Sequence, residues 1–270
     1  MTGNLKEVAQ DISITLDDVA KVREYKELVE NLYKENCVSA CLDGIEGVDY
    51  ETTNDVKTIN ILLDNNGEYT LADVNRQWGI PKMCFSEPHL FTNERGRRIQ
   101  ITNTELVNKD IISGFMKQAV IPELNAYRFA YIAGNMCHHN NGMTYEKLLK
   151  ECDEKDIITF VSSECPSLTV PNKKIVPFKQ FYNAIDLFDG VTNDRRDERK
   201  GGFAKHKANT LYEGDTDGKE LQYIALNKNA LFTVAKFDLK IVGDMLSFVV
   251  YHDVFVREEY KNFVCSEVVW

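Results

Sequence analysis

The feature that most constrains this chain is residues 105–135, whose apolar spacing is that of one long helix. Apolar side chains recur there at steps of three, four and seven, in two adjoining rows. The rows consist of Ile112, Phe115, Ala119, Ala126, Ala130 and Ala133, and of Ile111, Met116, Val120, Leu124, Tyr127 and Tyr131. A helix that is apolar on more than one side packs against more than one layer. The pattern therefore predicts a central helix covered on several sides.

Local signals mark the ends of this helix and an irregularity within it. Thr104 followed by Glu105 is typical of a helix start, and the pair Asn141-Gly142 is typical of a helix stop. Pro122 has no backbone N–H, so it predicts a bend near the middle of the helix.

Residues 1–54 predict an N-terminal arm that carries one amphipathic helix. Thr15 with Asp18 resembles a helix-start box, and Gly44 and Gly47 end the segment. One apolar face lies between them, formed by Val19, Val22, Tyr25, Leu28, Val29 and Leu32. This face could dock on the body of its own chain or on a neighbouring copy.

Residues 55–103 predict a long β-hairpin. Residues 56–62 alternate, the Asp-Asn-Asn-Gly turn signal follows at 64–67, and residues 85–91 and 98–102 can pair back. A two-stranded ribbon with so little apolar material is marginal in water. It therefore needs a surface to lie on, supplied either by its own domain or by a neighbouring subunit.

The rest of the chain predicts a short helix, several strands and one polar stretch. Thr144 is a plausible cap for a helix over 143–152, and residues 157–163 form a β-branched strand. Residues 192–218 alternate in charge, which indicates a solvated loop or a loop at a symmetry axis. Three more strands are predicted, at residues 221–226, 230–242 and 246–256.

Several short motifs occur in an order that resembles a known family. They are IPELNAYR at 121–128, the run 67–79 with Asp73-Val74-Asn75-Arg76, NERGRRIQI at 93–101, NKNALFTVAK at 227–236 and VYHDVFV at 250–256. In this order they resemble the major capsid proteins of tailed double-stranded-DNA phages, which have the Hong Kong 97 fold. The sequence departs from the family's pattern at Val74, where Tyr is common, and at Asn93-Glu94.

The resemblance implies an α+β fold of the Hong Kong 97 type. Its parts would be the N-terminal arm (1–54), an extended E-loop hairpin (55–103), a peripheral domain of spine helix and β-sheet (104–142 and 220–270) and an axial domain (143–219). The implied function is structural, not enzymatic. Many copies would self-assemble, as hexamers and pentamers, into an icosahedral shell enclosing phage DNA.

The resemblance also implies partners and a location. Besides other copies of itself, the chain would meet a portal and scaffolding or decoration proteins, and would contact packaged double-stranded DNA weakly. It would assemble in the host cytoplasm and reside in the virion capsid. Neither a cofactor nor a membrane is expected. Candidate inter-subunit contacts are Arg76, Trp78, Glu94, Arg95, Arg97 and Arg98.

Composition excludes other classes. The chain of 270 residues has no apolar run of the ~20 residues that a membrane span needs, and its first residues predict no secretory signal. Its seven cysteines include no CxxC pair, which favours reduced thiols. The net charge of −10 argues against a surface that binds nucleic acid through phosphates. It is compatible with a container whose inner wall lets DNA slide.

The sequence gives only weak signals for a metal site or a catalytic site. Cys137-His138-His139 resembles half of a zinc site, but the spacing supplies no further ligands, and a polar helix end is the favoured interpretation. His252-Asp253 could be part of a hydrolase, but neighbours on a strand face opposite ways and no nucleophile motif accompanies them. Nucleotide-binding motifs are absent.

Two alternatives remain at this stage. One is an encapsulin-like compartment, which would share the fold and hold a protein cargo. The other is a small α+β hydrolase or binding domain that shares only short motifs with the capsid family.

Overall fold

In the part of the chain that the structure describes, the fold is mixed α+β, with three sheets, one long helix and a second helix, α1 (Leu16–Asn36). The computed structural model describes residues 16–44, 48–52, 58–63, 85–91, 93–137, 142–164, 169–177, 220–257 and 260–269. The helices are α1 (Leu16–Asn36), α2 (Glu105–Phe115), α3 (Ile121–Tyr131) and α4 (Tyr145–Glu151). The strands are β1 (Val48–Thr52), β2 (Thr58–Leu63), β3 (Phe85–Leu90), β4 (Asn93–Gln100), β5 (Ile157–Ser162), β6 (Lys173–Val176), β7 (Glu220–Asn227), β8 (Leu231–Val242), β9 (Met245–Val256) and β10 (Val264–Val269).

The long helix is continuous from Glu105 to Cys137, as the apolar spacing predicts. Two π-helical turns, Met116–Val120 and Ile132–Cys137, follow α2 and α3. Thr104 precedes the helix with extended backbone, although its side chain makes no capping hydrogen bond. Pro122 lies in the first turn of α3, directly after a π turn. The π turn therefore lies next to the residue that has no backbone N–H, and the bend at Pro122 stays a prediction.

The first body sheet has the order β4-β9-β8 and is antiparallel throughout. One of its faces packs against α1 and the first half of the long helix, around Ile112, Met116, Val120 and Phe248. β4 pairs with β9 over its full length, from Asn93 opposite His252 to Gln100 opposite Met245. This differs from the expectation that residues 98–102 return along the hairpin. Gly96 permits the close pairing, because a Cβ there would lie 3.1 Å from the carbonyl oxygen of Phe248.

The second body sheet has the order β10-β7-β5-β6 and packs on the other half of the long helix. Phe129 of α3 meets Phe160 of β5 with ring centroids 4.9 Å apart. β5 pairs with β7 in antiparallel register, from Ile157 opposite Asn227 to Val161 opposite Tyr223. The expected boundary between residues 219 and 220 therefore runs between strands of one hydrogen-bonded sheet. The predicted helix α4 is confirmed, with the Thr144 hydroxyl accepting from the Lys147 amide at 3.3 Å.

Helix α1 lies on the body of its own chain. Tyr25, Val29, Leu32 and Tyr33 are buried in the same cluster as Ile112 and Phe248. Most of the predicted apolar face of this helix therefore docks within its own subunit. Residues 1–15 lie outside the described part of the chain.

The third sheet is the predicted hairpin with one added strand, in the order β1-β2-β3. β2 pairs with β3 from Thr58 opposite Leu90 to Leu63 opposite Phe85, which confirms the hairpin. β1 pairs with β2 on the other side, from Val48 opposite Leu63 to Thr52 opposite Ile59. The hairpin tip at 64–84 and the polar stretch at 192–218 lie outside the described residues. Among the residues that are described, no helix is long and apolar enough to cross a membrane.

The neighbouring residues Ile111 and Ile112 provide a matched test of this packing. Ile112 is fully buried, whereas Ile111 is 40% exposed. We expect Ile112→Ala to lower the free energy of unfolding by about 2–5 kcal/mol, because it leaves a cavity. Ile111→Ala should change it by less than about 0.5 kcal/mol. Urea unfolding of the isolated subunit measures both, and equal losses would contradict the packing of α2.

Candidate functional site

The most unusual feature of the body is a set of buried polar side chains on α3. Glu123, Asn125, Tyr127 and Arg128 are all buried, and all lie in the IPELNAYR motif. Residues three or four apart share a helix face. Glu123 and Tyr127 accordingly point to one neighbouring element, and Asn125 and Arg128 to another. A buried polar group is costly unless it is hydrogen-bonded, so each of these side chains requires a partner.

Arg128 finds its partners in the segment that follows α1. Its guanidinium is fully buried and donates from Nη2 to Asp43 Oδ1 at 2.9 Å and from Nη1 to Ser39 Oγ at 3.0 Å. The same guanidinium lies 5.7 Å from the centre of the Tyr33 ring, within range of a cation–π contact. Arg128 thereby fixes residues 38–43 against the middle of the long helix.

Asn125 strengthens the same connection. Its side-chain oxygen accepts from the Ser39 amide at 3.0 Å, from the Ser39 hydroxyl at 2.6 Å and from the Cys37 thiol at 3.1 Å. A single helical side chain therefore orders the short 3-10 turn Val38–Leu42. This turn follows α1 directly, so the contact also sets where α1 ends.

Asp43 is the meeting point of the network. Besides Arg128, its carboxylate accepts from the Tyr33 hydroxyl at 2.5 Å and from the Thr233 hydroxyl at 2.5 Å. Asp43 also forms an isolated parallel β-bridge with Thr233. One carboxylate thus joins the end of α1, the long helix and β8.

The ionisation states suit these roles. Burial disfavours the charged guanidinium, but the oxygens of Tyr33 and Asp43 outweigh it, so the pKa of Arg128 is raised and the group stays charged. Burial, with a smaller contribution from Asp43, raises the pKa of Tyr33 and keeps its hydroxyl a donor. Burial likewise raises the pKa of Cys37, which remains a neutral thiol. The network therefore consists of one ion pair surrounded by neutral donors.

The opposite face of the motif joins α3 to the first body sheet. Arg95 of β4 donates from Nε to Glu123 Oε1 at 2.7 Å, and both side chains are buried. Asn93 donates to the Tyr127 hydroxyl at 2.8 Å, and the Tyr127 ring meets the His252 ring edge-on at 4.9 Å. β4 is therefore fixed to the helix by hydrogen bonds, and β9 contacts the helix through these two rings.

His252 is neutral in this setting. Burial lowers its pKa to about 3, and the nearby charges of Arg128 and Arg95 add to the effect. Asp253 is also buried, and its Oδ1 accepts from the Val254 amide at 3.0 Å. Both residues thus lie in the interior of the subunit.

The six predicted contact residues between subunits differ in burial, and two of them are not described. Arg95 is buried and bonded to Glu123 of its own chain, so we remove it from the surface candidates. Arg97 is exposed, with its guanidinium 5.7 Å from the Phe115 ring centre, and Arg98 is exposed on the same strand. Glu94 is half-buried. Arg76 and Trp78 lie outside the described residues, and the role of these five remains a prediction.

Sequence patterns indicated only half of this network. The motif singled out α3, but no pattern identified Ser39 and Asp43, because their partners are more than 80 residues away along the chain. Cys137 is half-buried at the end of the helix, and His138 and His139 lie outside the described part. Within the part that is described, no cluster of three or more His, Cys, Asp or Glu residues could hold a metal ion.

Comparisons with known proteins give distant matches only. No protein-family model matches the chain, and no curated protein matches it. A solved structure from Gordonia phage Cozz is 10% identical over 86% of this chain and 85% of that chain, with a TM-score of 0.30. One from Mycobacterium phage Che8 is 12% identical over 90% and 89%, with a TM-score of 0.34. These scores are low, so the function proposed below rests on the chain's own residues.

Removing the charge of Arg128 should be far costlier than removing a surface charge. We expect Arg128→Met to lower the free energy of unfolding by about 3–5 kcal/mol, because it leaves Asp43 without its counter-charge. Arg98→Met, at an exposed position of β4, should change it by no more than about 0.5 kcal/mol. Chemical unfolding of both variants tests this, and a small loss in Arg128→Met would show that the ion pair is dispensable.

His252 should make the subunit less stable as the pH falls. Its folded-state pKa lies below its unfolded value, so the unfolded chain binds more protons between about pH 6.5 and pH 3 and stability is lost across that window. Replacing it with glutamine should reduce the loss between pH 7 and pH 5 by about 2 kcal/mol. Urea unfolding at both pH values measures the difference, and an unchanged pH dependence would contradict a neutral buried His252.

Proposed function

We propose that this chain is the major capsid protein of a tailed double-stranded-DNA phage. Many copies self-assemble, as hexamers and pentamers, into an icosahedral shell that encloses DNA. The role is structural rather than catalytic. The support is the ordered set of family-like motifs together with the sheet β1-β2-β3, here called the ribbon, whose strands pair only with one another.

The observation that carries the proposal is the isolation of the β1-β2-β3 sheet. Its strands pair with one another, and none of them pairs with a strand of either body sheet. A small sheet is stable when its apolar face packs against another surface. A neighbouring copy is the surface that this arrangement favours.

Polar contacts within the subunit hold the long helix, the first body sheet and α1 in fixed relative positions. Polar and ionic contacts of Glu123, Asn125, Tyr127 and Arg128 fix the long helix to β4, to β8 through Asp43 and to the end of α1. Networks of this kind favour one arrangement over alternatives more than they add stability. A shell needs that property, because small errors in each subunit would add up around a closed surface.

The surface charges of the body are suited to contacts between copies. Arg97 and Arg98 are exposed on β4, and Glu94 is half-buried beside them. A guanidinium can bind a carboxylate through two parallel hydrogen bonds, which fixes orientation as well as distance. Together with Arg76 and Trp78 of the ribbon, we propose these residues as contacts between subunits. Each contact can be weak, because every copy makes several of them at once.

The proposed partners follow from the same role. A portal and scaffolding or decoration proteins would bind the shell, and its interior would touch DNA only weakly. The net charge of −10 suits an inner wall that does not hold the packaged DNA in place.

The proposal requires closed particles from the wild-type chain. Gel filtration and negative-stain imaging of the expressed protein should show shells of uniform size, and a soluble monomer under all conditions would overturn it. Particles purified from infected cells should contain nuclease-protected double-stranded DNA. A protein cargo in its place would identify a compartment of the encapsulin kind.

Deleting residues 67–81 should separate folding from assembly. We expect this variant to give a folded subunit with an unchanged circular dichroism spectrum and no closed shells, because the ribbon tip is missing. Within the same segment, Trp78→Ala should reduce the yield of particles, whereas its neighbour Gln77→Ala should not. Normal shells from the deletion would show that the ribbon does not tie copies together.

A further inference from the structure

The outer edge of the first body sheet lies beside a groove. Among the described strands, β8 is the outermost in the order β4-β9-β8, and β9 is its only ladder partner. A groove of about 480 Å³ lies between residues 234–237 of this strand and α1 with the turn that follows it. The backbone N–H and C=O groups along a sheet edge can pair with a further extended segment. A groove between an edge strand and a helix therefore has the shape to bind a peptide as an added strand.

The subunit's own chain uses one position of this edge and then leaves it. Asp43 forms an isolated parallel β-bridge with Thr233. If the chain continued along the edge, the residues after Asp43 would pair in turn with residues 234–237. Gly44 has a φ of +73°, outside the extended range, so the chain turns away directly after the bridge. The groove therefore begins where the chain's own pairing with this edge ends.

The lining of the groove carries more positive than negative charge. It contains three lysines and two carboxylates, namely Lys26, Lys34, Lys236, Glu30 and Asp43. Glu30 pairs with Lys26 at 3.9 Å. Asp43 pairs with the buried guanidinium of Arg128 at 2.9 Å. Because the chain as a whole has a net charge of −10, this excess of positive charge is local, and it favours an acidic occupant.

Strand β1 is a segment of this chain that fits the groove. It is an outermost strand of the described sheet β1-β2-β3. Residues 46–55, which include β1, contain four carboxylates and neither lysine nor arginine. The five residues of β1 span about 17 Å, which is enough to cover the roughly 13 Å of residues 234–237. The other outermost strand, β3, contains Pro88, which has no backbone N–H to donate.

We propose that β1 of a second copy enters the groove and pairs with the outer edge of β8. Asp49 and Glu51 of the entering strand then lie against Lys34 and Lys236. The two three-stranded sheets become one sheet of six strands shared by two copies, which is an ordinary size for a sheet. This inference rests on the proposed function, and it specifies which edge of the ribbon meets which edge of the body. The contact is short, so it acts together with other contacts between the same copies.

Carbodiimide cross-linking of assembled particles tests the pairing. The reagent joins a carboxylate to an amine in contact with it, and mass spectrometry locates the amide that forms. We expect Asp49 or Glu51 to be joined to Lys34 or Lys236, in the dimer band of a denaturing gel and not in the monomer band. Lys236→Arg should keep the particles and remove the links to residue 236, because the guanidinium stays protonated and does not react.

Two results of this experiment would overturn the proposal. Links confined to the monomer band would show that the groove binds the subunit's own β1. Particles without any link between residues 49 or 51 and residues 34 or 236 would show that β1 does not enter the groove.

A charge exchange tests the recognition. Lys34→Glu with Lys236→Glu, or Asp49→Lys with Glu51→Lys, should each lower the particle yield about tenfold, because like charges then meet at the groove. Combining all four changes should restore the yield, and Lys150→Glu, an exposed change on α4, should leave it unaltered. If the wild type assembles but either reversal is harmless, or the combination restores nothing, this contact is refuted and the capsid function stands. If the wild type forms no particles, both are refuted.

Discussion

The buried charge of Arg128 is the constraint on which the rest of the subunit depends. A guanidinium with no exposed surface cannot be left alone, because water no longer solvates it. Its counter-charge, Asp43, comes from a segment 85 residues earlier in the chain. The body therefore forms with α1 and its following turn in one place only. Apolar packing alone would tolerate small displacements of α1, whereas a hydrogen-bonded ion pair does not.

The same motif divides its work between two sides of one helix. Asn125 and Arg128 order the end of α1, while Glu123 and Tyr127 hold β4 and approach β9. Elements that are distant in sequence, α1, β4 and β9, are thus all positioned by contacts with the same helix. This explains why Glu123, Asn125 and Arg128 are polar although the helix buries them. These polar side chains fix where α1 and β4 lie against the helix, and add little buried apolar area.

Regular elements could be predicted from the sequence, and their partners could not. The helix beginning at Glu105, the hairpin pairing of β2 with β3 and the cap at Thr144 follow from local patterns, and all three are confirmed. The choice of β9 as the partner of β4 depends on Gly96 fitting against Phe248, which no local pattern reports. The sequence did not indicate that Asp43 forms a buried ion pair, because an acidic residue before a glycine is typical of an ordinary turn. The docking of α1 was undecided for the same reason: its apolar face indicates burial but not which surface covers it.

The short distance along the chain between Asp43 and β1 has a mechanical consequence. Only four residues, Gly44 to Gly47, separate Asp43 from the first residue of β1, Val48. A pull on the ribbon is therefore transmitted through a short stretch of backbone to the Asp43–Arg128 pair. Apolar contacts can slide under load, but charged groups bonded at 2.9 Å resist until they break. Under the proposed function, a load on the ribbon would reach this ion pair through the chain itself and without any intervening element.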